Sequence, residues 1–472
     1  MSGQEIVDRN LGLPFREDPT TYYLEGDYDS FEPHKDFGAV FLESIIWYAP
    51  EDRVVPNIQF VTSPVTSDSN WEPVYANKTF ITHLNDLKDS YSVSGADIDT
   101  TRAVGVSRMA EWRKLFLRAR TATNPYEKLG SAGFINRAAV KLANIDWVFK
   151  LHSTRNPRTN QGPEELVFAD LCGAPGGFVE YLQKVYPRSR GYGMSLRPPP
   201  GDTVVPEWDP ALRYLQGDRE LFTPFYGNDD SGNIYTSWAD FVRMIRGTQT
   251  PFMDIVTADG GFDVGETEDG GSNYNRQEYL SSRLILLECI TALIILKPGG
   301  TFVVKVFDTF SRFMGDLLYL VSLCFNRTCI FKPCSSRPAN GERYAYFEGG
   351  LGIENAVVTG VLAVLNQAAQ QYQSDPNDPL NTIVLLDSIL AAQPPQTFID
   401  WLSNQNKRSV FRQLRVGESL LNYMRHLDGK DVAYLRKFEP ADLQKACILW
   451  GIGDNVHDND PLAAEAKGKK KV

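Results

Sequence analysis

A strand that breaks into a glycine-rich turn and then into a helix is the feature that most constrains this chain. It lies in VFADLCGAPGGFVEYL, residues 167–182. Val167–Leu171 is an apolar, β-prone run, and Phe178, Tyr181 and Leu182 recur at helical spacing after the turn. Glycine lets the backbone turn sharply and lets a ligand approach it closely, and the first helical turn leaves backbone N–H groups free. The pattern therefore predicts a ligand site at a strand-to-helix junction.

The spacing of these glycines argues against the common phosphate-binding loops. GAPGG is neither GxGxxG with a later ribose-binding acid nor GxxxxGK[ST]. A ligand with a carboxylate, an amino group or sugar hydroxyls suits the turn better, with Asp170 at the strand end as an acceptor. From this motif alone, a purely structural glycine turn stays open.

The chain after the turn alternates strands and helices, which predicts a Rossmann-like α/β sheet. We predict strands at 191–196, 213–216, 253–257 and 301–307, and a long helix at 279–296 that stops at KPGG. Ligands of such sheets bind beyond the carboxyl ends of the strands. Asp170, Asp218 and Asp259 fall at such ends, so we expect them to lie close together.

Lys305 is an unexpected charge within the apolar strand sequence FVVKVF. A buried, unpaired charge is costly or forces the loss of its proton. The lysine is therefore either part of a structural ion pair or a functional group with a lowered pKa.

Charge is distributed unevenly along the chain. The net charge of −11 argues against a general nucleic-acid coat, yet residues 102–158 hold twelve Lys and Arg against three acids. Such a strip can hold a polyanion beside the ligand, or it can form a solvated helix face. It contains two predicted helices, 106–120 and 134–149, the second of which carries Lys141.

The six cysteines lack the paired spacing of a zinc site or a secreted scaffold, so we expect reduced thiols and no metal site. No apolar run has the shape of a signal peptide and none reaches 18 residues. These features predict a soluble protein that is not targeted to secretion.

The order Lys141, Asp259, Lys305, Glu342 resembles the Lys-Asp-Lys-Glu tetrad of the RrmJ/FtsJ-fold ribose 2′-O-methyltransferases. Further motifs are similar to those of the cap-specific mRNA 2′-O-methyltransferases: NPYE at 124–127, NRAAVKLANID at 136–146, GYGMSL at 191–196, TADGGFDV at 257–264 and SRPANGERY at 336–344. Together the motifs cover about half of the chain, residues 105–350.

The resemblance implies a Rossmann-like methyltransferase fold, S-adenosylmethionine as cofactor, and methyl transfer to the ribose 2′-hydroxyl of the first transcribed nucleotide of capped mRNA. Lys305, with its pKa lowered by burial, would be the general base; Asp259 and Glu342 would orient it, and Lys141 would stabilise the oxyanion. The residues expected to hold the cofactor are Asn136, Asp170, Cys172, Gly173, Ala174, Pro175, Gly176, Gly177, Phe178, Asp218 and Arg219. Those expected to touch capped RNA are Arg108, Arg120 and Asn340.

The flanks carry no assigned chemistry. We predict an N-terminal extension at 1–104, the methyltransferase domain at 105–350, a mostly helical C-terminal region at 351–456 and a polar, disordered tail at 457–472. The helices of the C-terminal region are expected at 381–392, 396–403, 407–426 and 431–449.

Two other functions stay open: an rRNA or tRNA ribose 2′-O-methyltransferase on the same fold, and an RNA-binding capping subunit with a silent methyltransferase fold. The expected partners are capped mRNA and other capping or transcription machinery, with no membrane. A cellular mRNA enzyme implies the nucleus, and a viral one the host cytoplasm or the virion.

Overall fold

The computed structural model describes residues 6–7, 45–64, 73–91, 116, 119–120, 125–151, 166–198, 207–208, 221–248, 252–261, 276–372, 374–375, 378–382, 384–425, 447 and 450. The strands are β1 (Ile6–Val7), β2 (Ile45–Ile46), β3 (Ile58–Pro64), β4 (Val167–Leu171), β5 (Arg190–Met194), β6 (Phe222–Phe225), β7 (Met253–Ala258), β8 (Leu296–Val306), β9 (Phe325–Phe331), β10 (Arg343–Gly350), β11 (Ser374–Asp375), β12 (Asp378–Thr382) and β13 (Val384–Leu390). The α-helices are α1 (Lys78–Tyr91), α2 (Ala138–Phe149), α3 (Gly177–Val185), α4 (Ile234–Arg246), α5 (Gln277–Leu280), α6 (Ser282–Ile295), α7 (Arg312–Leu323), α8 (Ala356–Gln371) and α9 (Gln396–Arg425). A 3₁₀ helix spans Pro125–Leu129.

Seven strands form the main sheet in the order β6-β5-β4-β7-β8-β10-β9. The pairs from β6 to β8 are parallel, and β10 is antiparallel to both β8 and β9. From β4 the chain moves outward through β5 to β6 and then returns to β7 on the other side of β4. Ligands bind at such a reversal of strand order. The predicted Rossmann-like α/β fold is confirmed.

The central strands β4 and β7 are buried along their whole length because both faces of the sheet are covered. Ala169 and Val256 pack with α4, α6, α7 and α8 on one face. Phe168 and Ile255, which alternate with them, pack with α2 and α3 on the other face. The carboxyl ends of β4 and β7 are therefore held rigidly between two helical layers.

Several boundaries differ from the predictions. Helix α2 begins at Ala138 rather than at residue 134, because Ala132 and Gly133 have positive φ angles and the Asn136 side chain accepts the N–H of Ala138. The helix predicted at 279–296 is divided at Ser281 into α5 and α6. The KPGG sequence lies inside β8 and does not end the preceding helix. It shifts the register between β7 and β8, because Met253 pairs with Leu296 but Ile255 pairs with Thr301.

The prediction of a helix at 381–392 is wrong, because residues 384–390 form β13. This strand pairs with β3, which lies far away in the sequence. The pairing supplies hydrogen-bond partners for the backbone N–H and C=O groups of both strands. The two helices predicted at 396–403 and 407–426 form one helix, α9, which packs on α1 through Leu84 and Leu414. The described parts of the two flanks therefore contact one another, and the division into four parts stays a prediction.

Three predicted elements lie wholly or almost wholly outside the described residues: the helices at 106–120 and 431–449 and the strand at 213–216. The strand that pairs with β5 at the edge of the sheet is β6, which the sequence analysis did not predict.

Candidate active site

The glycine-rich turn between β4 and α3 is built on left-handed backbone. Cys172 has φ +55° and Gly176 has φ +109°. The N–H of Cys172 donates to the carbonyl of Met194 on β5, at 2.6 Å, and the N–H of Gly176 donates to the carbonyl of Gly173, at 2.9 Å. A Cβ atom at Gly173 would stand 1.9 Å from Oδ2 of Asp170. Only glycine leaves room for the turn against that carboxyl group.

Asp170, at the end of β4, is completely buried beneath the turn. Its Oδ1 accepts the hydroxyl of Thr257 at 2.7 Å, while its Oδ2 has no hydrogen-bond partner among the described residues. Burial raises the pKa of Asp170 to about 8. Oδ2 of Asp170 is thus a buried acceptor that lacks a hydrogen-bond donor, and the adjacent turn has no room for a side chain at Gly173. This arrangement fits a ligand that carries a hydrogen-bond donor, such as an amino group.

The four tetrad residues lie together as two ion pairs. Lys141, on α2, donates to Glu342, with Nζ 2.9 Å from Oε2 and 2.8 Å from Oε1. Lys305, on β8, donates to the carbonyl of Asp259 at 2.7 Å, and its Nζ lies 3.2 Å from Oδ1 of the same residue. Each of the four side chains keeps 12–16% of its surface exposed. The pairs therefore face an opening and are not sealed in the core.

The pKa of Lys305 differs from the expectation. Burial alone would lower it, but the carboxylates of Asp259 and Glu342 and the hydrogen bond to Asp259 outweigh burial and raise it. The expectation of a lowered pKa is wrong for this structure. Lys305 is held as an ammonium, and it can act as a base only after this balance of charges has changed.

The remaining residues expected to hold the cofactor lie in and around the glycine turn, except for two that are not described. Ala174 donates its N–H to Oγ of Ser195 at 3.3 Å, and the bond from Ala174 to Pro175 is cis. The Asn136 side chain lies against Gly177, where a Cβ atom would stand 2.0 Å from Oδ1. Phe178 is buried in the core beside Tyr344. Asp218 and Arg219 lie outside the described residues.

Comparison with known proteins bears directly on this site. Residues 134–349 match the family described as FtsJ-like methyltransferase. This range contains all four tetrad residues and the glycine turn. Residues 134–349, here called the FtsJ-like domain, are similar to this methyltransferase family.

Curated relatives extend the match beyond the FtsJ-like domain. The chain is 34% identical over 371 residues to the cap-specific mRNA (nucleoside-2′-O-)-methyltransferase 1 of Homo sapiens, covering 75% of this chain and 41% of that protein. The protein of the same name from Drosophila melanogaster is 34% identical over 359 residues, covering 72% and 42%. The chain thus spans about two fifths of the length of these relatives.

Two solved structures show a low overall similarity. The MycE methyltransferase in complex with Mg and SAH has a TM-score of 0.26 and 14% identity, covering 44% of this chain and 48% of that one. Human methyltransferase-like protein 13 in complex with SAH has a TM-score of 0.25 and 11% identity, covering 50% and 94%. Similarity at this level does not bear on function.

Lys332 is a residue of the FtsJ-like domain that sequence reasoning missed. It follows β9 and is only 4% exposed. Its Nζ donates to the carbonyl and side-chain oxygens of Asn340 and to the carbonyl of Glu342, the last at 2.6 Å. Burial lowers the pKa of Lys332 to about 7. The available signal was a lysine directly after the apolar end of a strand, whereas Lys305 stands within an apolar strand.

The lysines around Glu342 determine its charge. Burial acts to raise the pKa of Glu342, but Lys141, Lys305 and Lys332 outweigh burial and lower it. Ser336 adds a hydrogen bond from its Oγ to Oε1, at 2.6 Å. Glu342 is therefore held as a carboxylate.

Glu288 is a second group that sequence reasoning missed. It lies on α6, it is completely buried, and burial raises its pKa to about 8 while Lys305 acts to lower it. A Cβ atom at Gly260 would stand 2.1 Å from its Oε1. A lone acid within the apolar helix sequence LILLECITALII was the signal for it.

The residues expected to touch RNA are only partly described. Arg108 lies outside the described residues. Asn340 accepts hydrogen bonds from Lys332. Burial lowers the pKa of Arg120, as do the charges of Arg337 and Arg137, while Glu127 raises it. Arg120 therefore stands near two other arginines and Glu127.

Within the described part of the chain, each helix is too short or too polar to span a lipid bilayer. In the same part of the chain, no group of three or more His, Cys, Asp or Glu is arranged to hold a metal ion.

Proposed function

We propose that the protein transfers a methyl group from S-adenosylmethionine to the ribose 2′-hydroxyl of the first transcribed nucleotide of capped mRNA, converting cap 0 to cap 1. The observation that carries the proposal is the pair of lysine–carboxylate contacts at the strand-order reversal of an FtsJ-like domain. The names of the curated relatives support the cap as the target.

The glycine turn and its surroundings suit the cofactor. Asp170 offers a buried acceptor without a donor, and the glycines keep side chains out of the space above it. Asn136, Cys172 and the backbone up to Phe178 would complete the cofactor site, with Asp218 and Arg219 at its adenine end. When bound, S-adenosylmethionine supplies an electrophilic methyl group on a positively charged sulfur.

The tetrad would prepare the attacking oxygen. A ribose hydroxyl is a weak nucleophile until its proton is removed. Lys305 would accept that proton on Nζ once it is neutral, and a positive charge bound nearby favours this state by lowering its pKa. Asp259 would keep Nζ in place through its two contacts. Lys141, held by Glu342, would donate to the oxygen as negative charge develops on it.

The proposed substrate also determines partners and location. Capped mRNA would be the direct partner, and other capping or transcription machinery a second class. An enzyme of cellular mRNA would act in the nucleus, and a viral one in the host cytoplasm or the virion.

The test is the transfer of tritium from labelled S-adenosylmethionine to three matched RNAs: capped, uncapped, and capped with a 2′-O-methyl group already on the first nucleotide. We expect label only in the first, located by nuclease digestion at the first nucleotide. Equal labelling of uncapped RNA would indicate an rRNA- or tRNA-type enzyme. A protein that binds capped RNA and cofactor without transfer would indicate a silent subunit.

A further inference from the structure

Glu127, of the NPYE motif, joins two arginines from the other motifs. Its side chain is only 9% exposed. Oε2 accepts a hydrogen bond from Nη1 of Arg137, at 2.6 Å, and Oε1 accepts one from Nε of Arg337, at 3.0 Å. Three sequence motifs therefore meet at one carboxylate, which the proposed methyl transfer does not use.

Positive charge exceeds negative charge at this point. The charges of Arg137, Arg337 and Glu127 all act on Arg120, so a third guanidinium group lies near the same carboxylate. Arg137 uses its Nη2 on the carbonyl of Ser335, at 3.0 Å. Arg337 is 40% exposed, and among the described residues its two Nη groups have no hydrogen-bond partner. Guanidinium groups fixed in this way suit the oxygen atoms of a phosphate.

The cluster lies next to the tetrad. Arg137 is one helical turn before Lys141, whose N–H donates to the Arg137 carbonyl at 3.4 Å. Arg337 follows Ser336, which donates to Glu342. An anion held by Arg337 would therefore stand close to the ribose that the tetrad is proposed to methylate.

We propose that Arg337, oriented with Arg137 by Glu127, binds a phosphate group of the RNA substrate next to the target ribose. The proposal rests on the proposed function. The phosphate belongs either to a phosphodiester of the transcript or to the triphosphate bridge of the cap.

The experiment measures binding of three ligands at several salt concentrations: a short capped RNA, the same RNA with a 5′-hydroxyl, and the cap dinucleotide m7GpppG. For Arg337→Ala we expect about ten-fold weaker RNA binding at low salt, the effect of one lost charge-assisted contact. The slope of log affinity against log salt should fall by about 0.7, as for one single-strand phosphate. Equal loss on both RNAs would assign the contact to a phosphodiester, and loss only on cap-bearing ligands would assign it to the triphosphate bridge.

Two further variants make the test specific. Arg337→Lys should keep most of the salt slope but bind RNA more weakly than the parent, because lysine lacks the planar guanidinium group and its contact to Glu127. This variant also tests the proposal if Arg337→Ala does not fold. Arg243→Ala, on α4, removes an arginine that is 72% exposed and paired with Asp240, and it should bind like the parent.

Parental affinity and parental salt slope in both Arg337 variants would overturn the proposal. Failure of the proposed function looks different: the parent would transfer no methyl group to capped RNA, while binding could still depend on Arg337.

Discussion

Replacement of Lys332 by methionine should change how stability depends on pH. The pKa of Lys332 falls from 10.5 to about 7 in the folded protein, with burial as the largest cause. Between these values the unfolded chain binds a proton that the folded protein has lost, so the stability of the parent rises with pH in this window. Below about pH 7 both states are protonated and Lys332 adds no slope.

The magnitude follows from the same linkage. Each pH unit in the window adds up to about 1.4 kcal/mol to the free energy of unfolding. Because the folded lysine is still half protonated at pH 7, the parent gains about 2.3 kcal/mol between pH 7 and 9. Lys332→Met keeps the length of the side chain but has no proton to lose. It also leaves the carbonyls of Asn340 and Glu342 without their donor, a cost that should vary little with pH.

The assay is denaturation by urea, followed by circular dichroism at constant ionic strength from pH 6 to 9. The difference in unfolding free energy between parent and Lys332→Met should be constant below pH 7 and then grow in favour of the parent. Lys78→Met, which removes an exposed lysine of α1, should follow the parent at every pH. Parallel curves for parent and Lys332→Met across the whole range would refute the reasoning.

Three further predictions concern the active site. Gly173→Ala should weaken S-adenosylmethionine binding by about ten- to a hundred-fold in calorimetry, because its Cβ would stand 1.9 Å from Asp170; unchanged affinity would remove the turn from the cofactor site. Ser336→Ala should lower kcat about ten-fold through loss of its bond to Glu342, with little change in KM; an effect confined to KM would contradict this role. The rate of methyl transfer should rise from neutral to alkaline pH, because the raised pKa of Lys305 keeps it protonated at neutrality; a rate that falls over this range would argue against Lys305 as the base.

The central strands and the glycine turn were predictable because they are determined locally. Burial on both faces makes β4 and β7 mainly apolar, with Asp170, Asp254 and Thr257 as their polar residues. The same argument marked Lys305, since a charge in such a strand needs an explanation. Lys332 and Glu288 are also charged residues next to apolar ones. However, Lys332 is followed by polar sequence and Glu288 lies in a helix, and a charged residue in either setting is commonly exposed to solvent.

Features that depend on distant residues were not predictable. The sign of the pKa shift at Lys305 depends on how close Asp259 and Glu342 come in space, and sequence spacing does not give that distance. Strand β13 has apolar residues that also fit a helix, and only its pairing with β3 determines its form. The contacts of Glu127 likewise join segments that meet only after folding.

The most direct test of the proposed function compares the parent with Lys305→Arg. Arginine keeps a positive charge beside Asp259 but cannot lose its proton at any workable pH. Turnover on capped RNA should fall by at least about a hundred-fold, the usual contribution of a general base, while the affinities for capped RNA and S-adenosylmethionine stay near those of the parent. If Lys305→Arg folds, binds both ligands and still methylates the first nucleotide at near the parental rate, Lys305 is not the base.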